Sequence, residues 1–396
     1  MVSSITRHAS APWLRLGFRP FFLAAGVFAV VSMLIWFAAF SQGIAFPFAG
    51  LAPATWHGHE MIYGYSLAVV AGFLLTAVGN WTGRPTVRGL PLLLLFVLWL
   101  MARVSVLAGS DAYRFIAAGF DLLFLAGVIL AVTIPIVQAR LWPNLALVIK
   151  LVLLLASNLV FFLGAAGYLE QGVYRGLYSG LYLVLALIFT LSRRVLPFFI
   201  EKGVGYPVEL RNSKWVDLGS MALFAGFWLA DLVQPNGLTV AVLSMSLFVL
   251  HLWRWLGWYT PGIWKKPLLW SLYLAYAAII TGFALKAAVY VAGVSPFLAL
   301  HAFSVGGVGM MTLGMMTRVA LGHTGRSVFE PPRALGWIFA VLGAAFLVRV
   351  MLPMLYSAHY GLWITLSQWL WVAAFLAFVV LYFPVLTRPR VDGKDG

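Results

Sequence analysis

Twelve apolar runs follow one another along the chain, at approximately 21–40, 57–80, 88–108, 113–137, 145–168, 173–192, 214–233, 238–259, 267–292, 297–321, 335–357 and 361–384. Each is close to the roughly 20 residues that a bilayer core demands of a helix. Proline or glycine punctuates most junctions, with Pro47, Pro53, Pro85, Pro143, Pro207, Pro235, Pro267, Pro296, Pro331 and Pro332 as markers. The pattern predicts an all-α fold, a polytopic transmembrane helical bundle of about twelve spans. One domain would cover 21–384, between tails at 1–20 and 385–396. No convincing internal repeat divides it.

Composition supports that reading. The chain is 63% hydrophobic and 9% charged, with a mean hydropathy of +0.97. No soluble core needs that much apolar surface. Cysteine is absent from the sequence, which excludes disulfides and thiolate ligands. A metal would have to be held by His, Met, carboxylate, Tyr or backbone. Residues 1–20 are basic (Arg7, Arg15, Arg19) and run straight into a full-length span. They read as a retained cytoplasmic tail and not as a cleaved signal.

A net charge of +15 could suggest nucleic acid. Placing the N-terminus inside gives a different explanation. Of the 26 Lys and Arg residues, 21 then fall in or beside cytoplasmic segments, and only Arg103, Arg114, Arg175, Lys286 and Arg349 lie on the outer side. This is the positive-inside bias of a membrane protein. It puts both termini in the cytoplasm and requires the lipid bilayer, not nucleic acid, as the partner of the basic surface.

With that orientation, ionisable residues collect in the outer half of the membrane, where a charge is costly and has a job or a partner. Glu60, Arg103, Asp121, Asp231, Lys286 and Arg349 lie there, and His57, His59 and His301 open spans 2 and 10 from the same side. One reading is ion pairs locking helices together, such as Arg103 with Asp121. The other is a polar chamber, open to the outside, holding a cofactor.

The stretch His301–Arg318, HAFSVGGVGMMTLGMMTR, carries the most unusual composition. It combines a histidine, four glycines and four methionines. Glycine would let something flat approach the helix backbone, and His and Met are metal ligands. A haem iron held by His301 with His57 or His59 fits these residues, with Arg103, Lys286 and Arg349 available to the propionates. Glycines 307 and 314 could lie against the macrocycle. His57 and His59 are about 200° apart on a helix and can share one site only if the start of span 2, at Gly58, is not helical. Otherwise one serves iron and the other copper or a hydrogen bond. Met311 and Met315 could bind copper(I), although methionine more often fills gaps in packing. Glu60 and Asp121 are the candidate proton carriers. His251 reads as a core residue and His323, in GHTGR, as a loop-shaping one; together they could form a second, inner metal site.

Several blocks resemble the NnrS family: GFRPFF (Gly17 to Phe22), WHGHEM (Trp56 to Met61), AGFLLTAVGNWTGR (Ala71 to Arg84), RVLPFF (Arg194 to Phe199) and HAFSVGGVGMMTLGMMTRVALGHTGR (His301 to Arg326). The resemblance covers nearly the whole chain. It implies a bacterial inner-membrane protein of twelve spans, associated with haem and copper and linked to nitric oxide and nitrosative stress. The family's histidines correspond to His57, His59, His301 and His323. Where the family often has a histidine after the Leu-Trp of span 9, this chain has Tyr273, a weaker ligand or a proton donor. Haem-copper oxidases and nitric oxide reductases also place haem histidines on spans 2 and 10. Their second metal needs histidines on spans 6 and 7, and these spans have none here, so no such binuclear centre is expected.

Three functions remain open at this stage. The protein could bind haem b and consume nitric oxide as an oxidoreductase, with electrons from quinol or a small donor. It could bind or handle haem or copper without turnover. It could be a transporter for a small solute.

Overall fold

The structure is a computed structural model and describes residues 11–394. Arg7 lies outside the described residues. No strand occurs among them. Eleven helices are long and apolar enough to cross a membrane, and a shorter apolar helix, Leu90–Val106, makes the twelfth element of the bundle. In chain order they are α1 (Phe18–Ser41), α2 (Pro53–Thr82), α3 (Leu90–Val106), α4 (Asp111–Gln138), α5 (Leu145–Ala165) and α6 (Gly172–Gly203). The second half comprises α7 (Lys214–Val233), α8 (Leu238–Gly257), α9 (Pro267–Ala292), α10 (Pro296–His323), α11 (Ala334–Leu355) and α12 (Tyr360–Thr387).

Three boundaries depart from the apolar runs. Helix α2 starts at Pro53 and not near residue 57, so His57, His59 and Glu60 sit one to two turns inside it. Proline is well placed at a first helical turn, where its missing N–H has no partner to lose. Helix α6 runs on to Gly203 through Arg193, Arg194 and Pro197, well past the expected end at 192. Helix α3 has 17 residues, or about 26 Å at 1.5 Å per residue, just short of a bilayer core.

Most sequence neighbours pack as antiparallel pairs, and α12 returns to lie along α1. Helices α2, α9 and α10 are the most enclosed, each with 72% of its apolar window buried, against 22% for α7. They form the centre, with α6 beside them, and the remaining helices face outward. Arg19 ties the two ends of the chain together. It is fully buried and donates to the carbonyls of Val385, Leu386 and Arg388 at the end of α12. Basic side chains satisfy orphan carbonyls at helix C-termini in this way.

The glycines of α10 serve helix packing. A Cβ at Gly307 would stand 2.5 Å from Cγ1 of Ile279, and one at Gly314 would stand 2.7 Å from Cδ2 of Leu272, both on α9. Gly309 faces the ring of Trp371 on α12 at 2.6 Å. The expectation that Gly307 and Gly314 line a macrocycle is therefore corrected. Small residues here let helix backbones approach one another.

Three segments depart from α geometry into π-helix: Glu60–Ser66 in α2, Ala302–Gly309 in α10 and Leu347–Met351 in α11. A π turn carries an extra residue and turns side chains out of α register, and it occurs often at functional sites. Gly58 itself is in regular α-helix; the irregularity in α2 begins two residues later.

Candidate functional site

The three π segments bracket one region. Glu60 opens the first, His301 immediately precedes the second, and Arg349 lies inside the third. Two clusters of polar side chains result, and His57 and His59 are divided between them.

The first cluster is a buried tetrad from α2, α3 and α4. Arg103 donates from Nη1 to Oε2 of Glu60 at 2.9 Å and from Nη2 to Oδ1 of Asp121. His59 Nδ1 lies 2.9 Å from Oε1 of Glu60, and its Nε2 lies 3.0 Å from Oδ1 of Asn158 on α5 and 3.6 Å from Oδ2 of Asp121. The His59 ring stacks on Phe161 at 4.4 Å. All four ionisable residues are at most 4% exposed. Gly64 makes the close approach of Arg103 possible, because a Cβ there would fall 2.7 Å from Nη1. The Arg103–Asp121 pair is thus formed. Glu60 and Asp121 hold one another's counter-ion in common, and His59 has both ring nitrogens engaged. These contacts make the tetrad an ion-pair lock between helices, in which Arg103 Nε and Asp121 Oδ2 are left without hydrogen-bond partners.

The second cluster joins α1, α2, α10, α11 and α12. His57 stacks flat on Trp36 of α1, with ring centroids 4.5 Å apart and planes 9° apart. Its Nδ1 is buried without a hydrogen-bond partner. His301 donates from Nδ1 to the carbonyl of Phe297 at 2.7 Å, which leaves Nε2 as an acceptor; Arg349 Nη2 lies 3.2 Å from it. Arg349 also reaches the hydroxyl of Tyr360 at 3.4 Å and lies over its ring. Both histidines are within electrostatic range of Arg349 and of one another. A histidine whose Nδ1–H is fixed by a carbonyl, leaving Nε2 unprotonated, has the tautomer of a metal ligand; here Arg349 caps that nitrogen.

The remaining candidates lie elsewhere. Lys286 pairs with Asp231 at 2.9 Å and donates to Asn236 Oδ1 at 2.8 Å, while Tyr182 donates to the other oxygen of Asp231 at 2.6 Å. It locks α7 to α9. Met311 and Met315 line a small apolar cavity of about 70 Å³ with Phe22, Phe73 and Leu187. His323 sits at the opposite end of α10, against the Phe18 ring and 3.4 Å from Asn80 Nδ2. His251 packs against Phe189 and Phe283 and contacts the Tyr276 hydroxyl at 2.6 Å. The two therefore have separate surroundings and do not form an inner metal site. Tyr273 donates to the carbonyl of Trp255 at 3.1 Å. Among the described residues, no group of three or more His, Asp or Glu side chains is gathered to hold a metal ion.

Asn158, Trp36 and Tyr360 complete these clusters and were not legible in the sequence. Asn158 is a lone amide in an apolar run, and its burial in a membrane helix was the one available signal. Trp36 and Tyr360 look like ordinary interfacial aromatics until tertiary packing sets them beside His57 and Arg349.

No curated protein matches the chain. The model of the NnrS protein family matches residues 12–390, a stretch that contains both clusters, all twelve helices and nearly the entire sequence. The chain belongs to the NnrS family.

Proposed function

We propose that this is a haem b protein of the bacterial inner membrane, with both termini in the cytoplasm, that binds and consumes nitric oxide and so protects the cell against nitrosative stress. The observation that carries the reading is the His57–His301–Arg349 cluster, in which His57 has an unpartnered buried Nδ1 and His301 presents an unprotonated Nε2. Two histidines beside an arginine suit a group such as haem, whose iron histidine can hold and whose propionates arginine can meet. Family membership supports a place in the nitric oxide response.

The residues present fit such a group. His57 and His301 would hold the iron, and Arg349 would meet a propionate. Haem, when bound, supplies an iron that takes nitric oxide as a ligand. The protein's own side chains do the rest. Phe297 holds the His301 ring in its tautomer. Trp36 fixes the plane of His57. His59 is hydrogen-bonded to Glu60 and lies 3.6 Å from Asp121, so a proton can be held within this group, and reduction of nitric oxide consumes protons.

The test is an absorbance spectrum of the purified protein, oxidised and dithionite-reduced, with and without nitric oxide. A Soret band that shifts with nitric oxide, and that His301→Ala abolishes, is the expected result. No Soret band in protein produced with ample haem overturns the haem assignment and leaves copper binding or transport. Metal-dependent loss of nitric oxide in vesicles separates consumption from binding alone.

A further inference from the structure

A crevice of about 380 Å³ runs between α1 and α3 and reaches down to α2. Its walls extend along α1 from Pro20 to Ile35, about 22 Å of helix at 1.5 Å per residue. Val27, Val31, Leu100 and Val104, which border it, are among the exposed apolar residues of the bundle. The mouth therefore faces the lipid side of the helices. The volume falls within the roughly 300–1,000 Å³ of small-molecule sites.

The lining is apolar and aromatic except at one place, where Glu60 and Arg103 contribute the only charged groups to the wall. Arg103 is 4% exposed, and its Nε has no hydrogen-bond partner. A buried guanidinium N–H without a partner is costly, because it gave up its hydration for nothing. It calls for an acceptor. Glu60 still has acceptor capacity beyond its contacts with Arg103 and His59. A donor-bearing and an acceptor-bearing side chain thus belong to one stretch of the wall of an elongated hydrophobic crevice, which Trp56 and Trp99 also line.

We propose that this crevice binds an isoprenoid quinone or quinol. The flat head would sit by Trp56 and Trp99, with a carbonyl oxygen accepting from Arg103 or a hydroxyl donating to Glu60, and the prenyl tail would lie along α1 and α3. Charge selects this occupant over other amphiphiles. Two carboxylates, Glu60 and Asp121, already balance Arg103, so that stretch of wall holds no surplus positive charge for a phosphate. A fatty-acid carboxylate would meet Glu60 directly. A neutral head with carbonyl or hydroxyl oxygens meets neither penalty. The assignment concerns binding alone and stands whether or not haem is present.

The full-length protein in detergent should show saturable quenching of tryptophan fluorescence by ubiquinone-1, since Trp13, Trp56 and Trp99 line the crevice. Ala24→Phe fills the crevice from a partly exposed position on α1 and is expected to weaken ubiquinone-1 binding by about tenfold or more. Its thermal unfolding should match that of the parent protein, which separates a blocked site from a misfolded one. Arg103→Lys, which keeps the charge but loses the Nε–H, should weaken binding while leaving the crevice open. Non-saturable quenching, or equal affinity in Ala24→Phe, overturns the proposal. So does equal competition by geranylgeraniol or by lysophosphatidylglycerol, which would mean that the tail or a lipid is the true occupant.

Discussion

Arg349 and His301 meet at 3.2 Å, Nη2 to Nε2, across the junction of two π-helical segments on α10 and α11. An arginine is always a donor, so the contact requires His301 to present a bare nitrogen, and the Phe297 carbonyl holds the only ring proton on the other side. The geometry poises one histidine nitrogen and one guanidinium at the same place.

That contact leads to a first prediction. Arg349→Leu should lower haem affinity by about ten- to a hundredfold, the loss of a charge-assisted hydrogen bond worth roughly 1.5–3 kcal/mol. Arg349→Lys should recover part of it. The ratio of haem to protein after purification is the measurement. An unchanged ratio in Arg349→Leu would show that the guanidinium does not hold a propionate.

The division of the two neighbouring histidines gives a second. His57→Ala should remove the Soret band, as should His301→Ala. His59→Ala should keep the band and lower thermal stability, because His59 is bound to Glu60 and Asn158 and stacked on Phe161. Loss of haem in His59→Ala at unchanged stability would reverse these roles.

Arg103 bridges two buried carboxylates. Arg103→Met leaves both without a counter-ion and should cost about 3–5 kcal/mol, the usual penalty for breaking one side of a buried pair. Arg103→Lys should cost less, but not nothing, because one ammonium cannot reproduce the planar fork that meets Glu60 and Asp121 together. Thermal unfolding in detergent measures both. A neutral Arg103→Met would mean that Glu60 and Asp121 are uncharged in the folded protein.

Lys286 is bound to Asp231 and Asn236, away from the histidines. Lys286→Met should lower stability without changing haem content, and Lys286→Met combined with Asp231→Asn should restore part of the loss, since no unpaired charge then remains. A spectral change in the single variant would bring Lys286 back to the cofactor.

At Gly309 a Cβ would meet the Trp371 ring at 2.6 Å, and at Gly306 one would meet the Phe346 ring at 2.5 Å. Gly309→Ala and Gly306→Ala should each destabilise the bundle by about 1–3 kcal/mol through overpacking. If they instead change only the haem spectrum, the glycines face the cofactor and not the neighbouring helices.

The sequence by itself determined the class of this protein and the rough position of its helices. Length and apolarity are properties of a continuous stretch, and a bilayer imposes one minimum length on all spans. It also pointed to His57, His301, Arg349, Glu60 and Asp121, because an ionisable group inside an apolar run stands out against its own neighbours. The Arg103–Asp121 pair was legible for the same reason. What no linear pattern holds is the angular position of each side chain once the helix periodicity changes. The three π segments have no strong signature of their own, and each alters which residues share a face. Tertiary structure alone separated His57 from His59, gave Lys286 to Asp231, turned the glycines of α10 towards α9, α11 and α12, and opened the crevice between α1 and α3. Each of these is a contact between residues far apart in the chain, set by how twelve helices pack and not by the composition of any one of them.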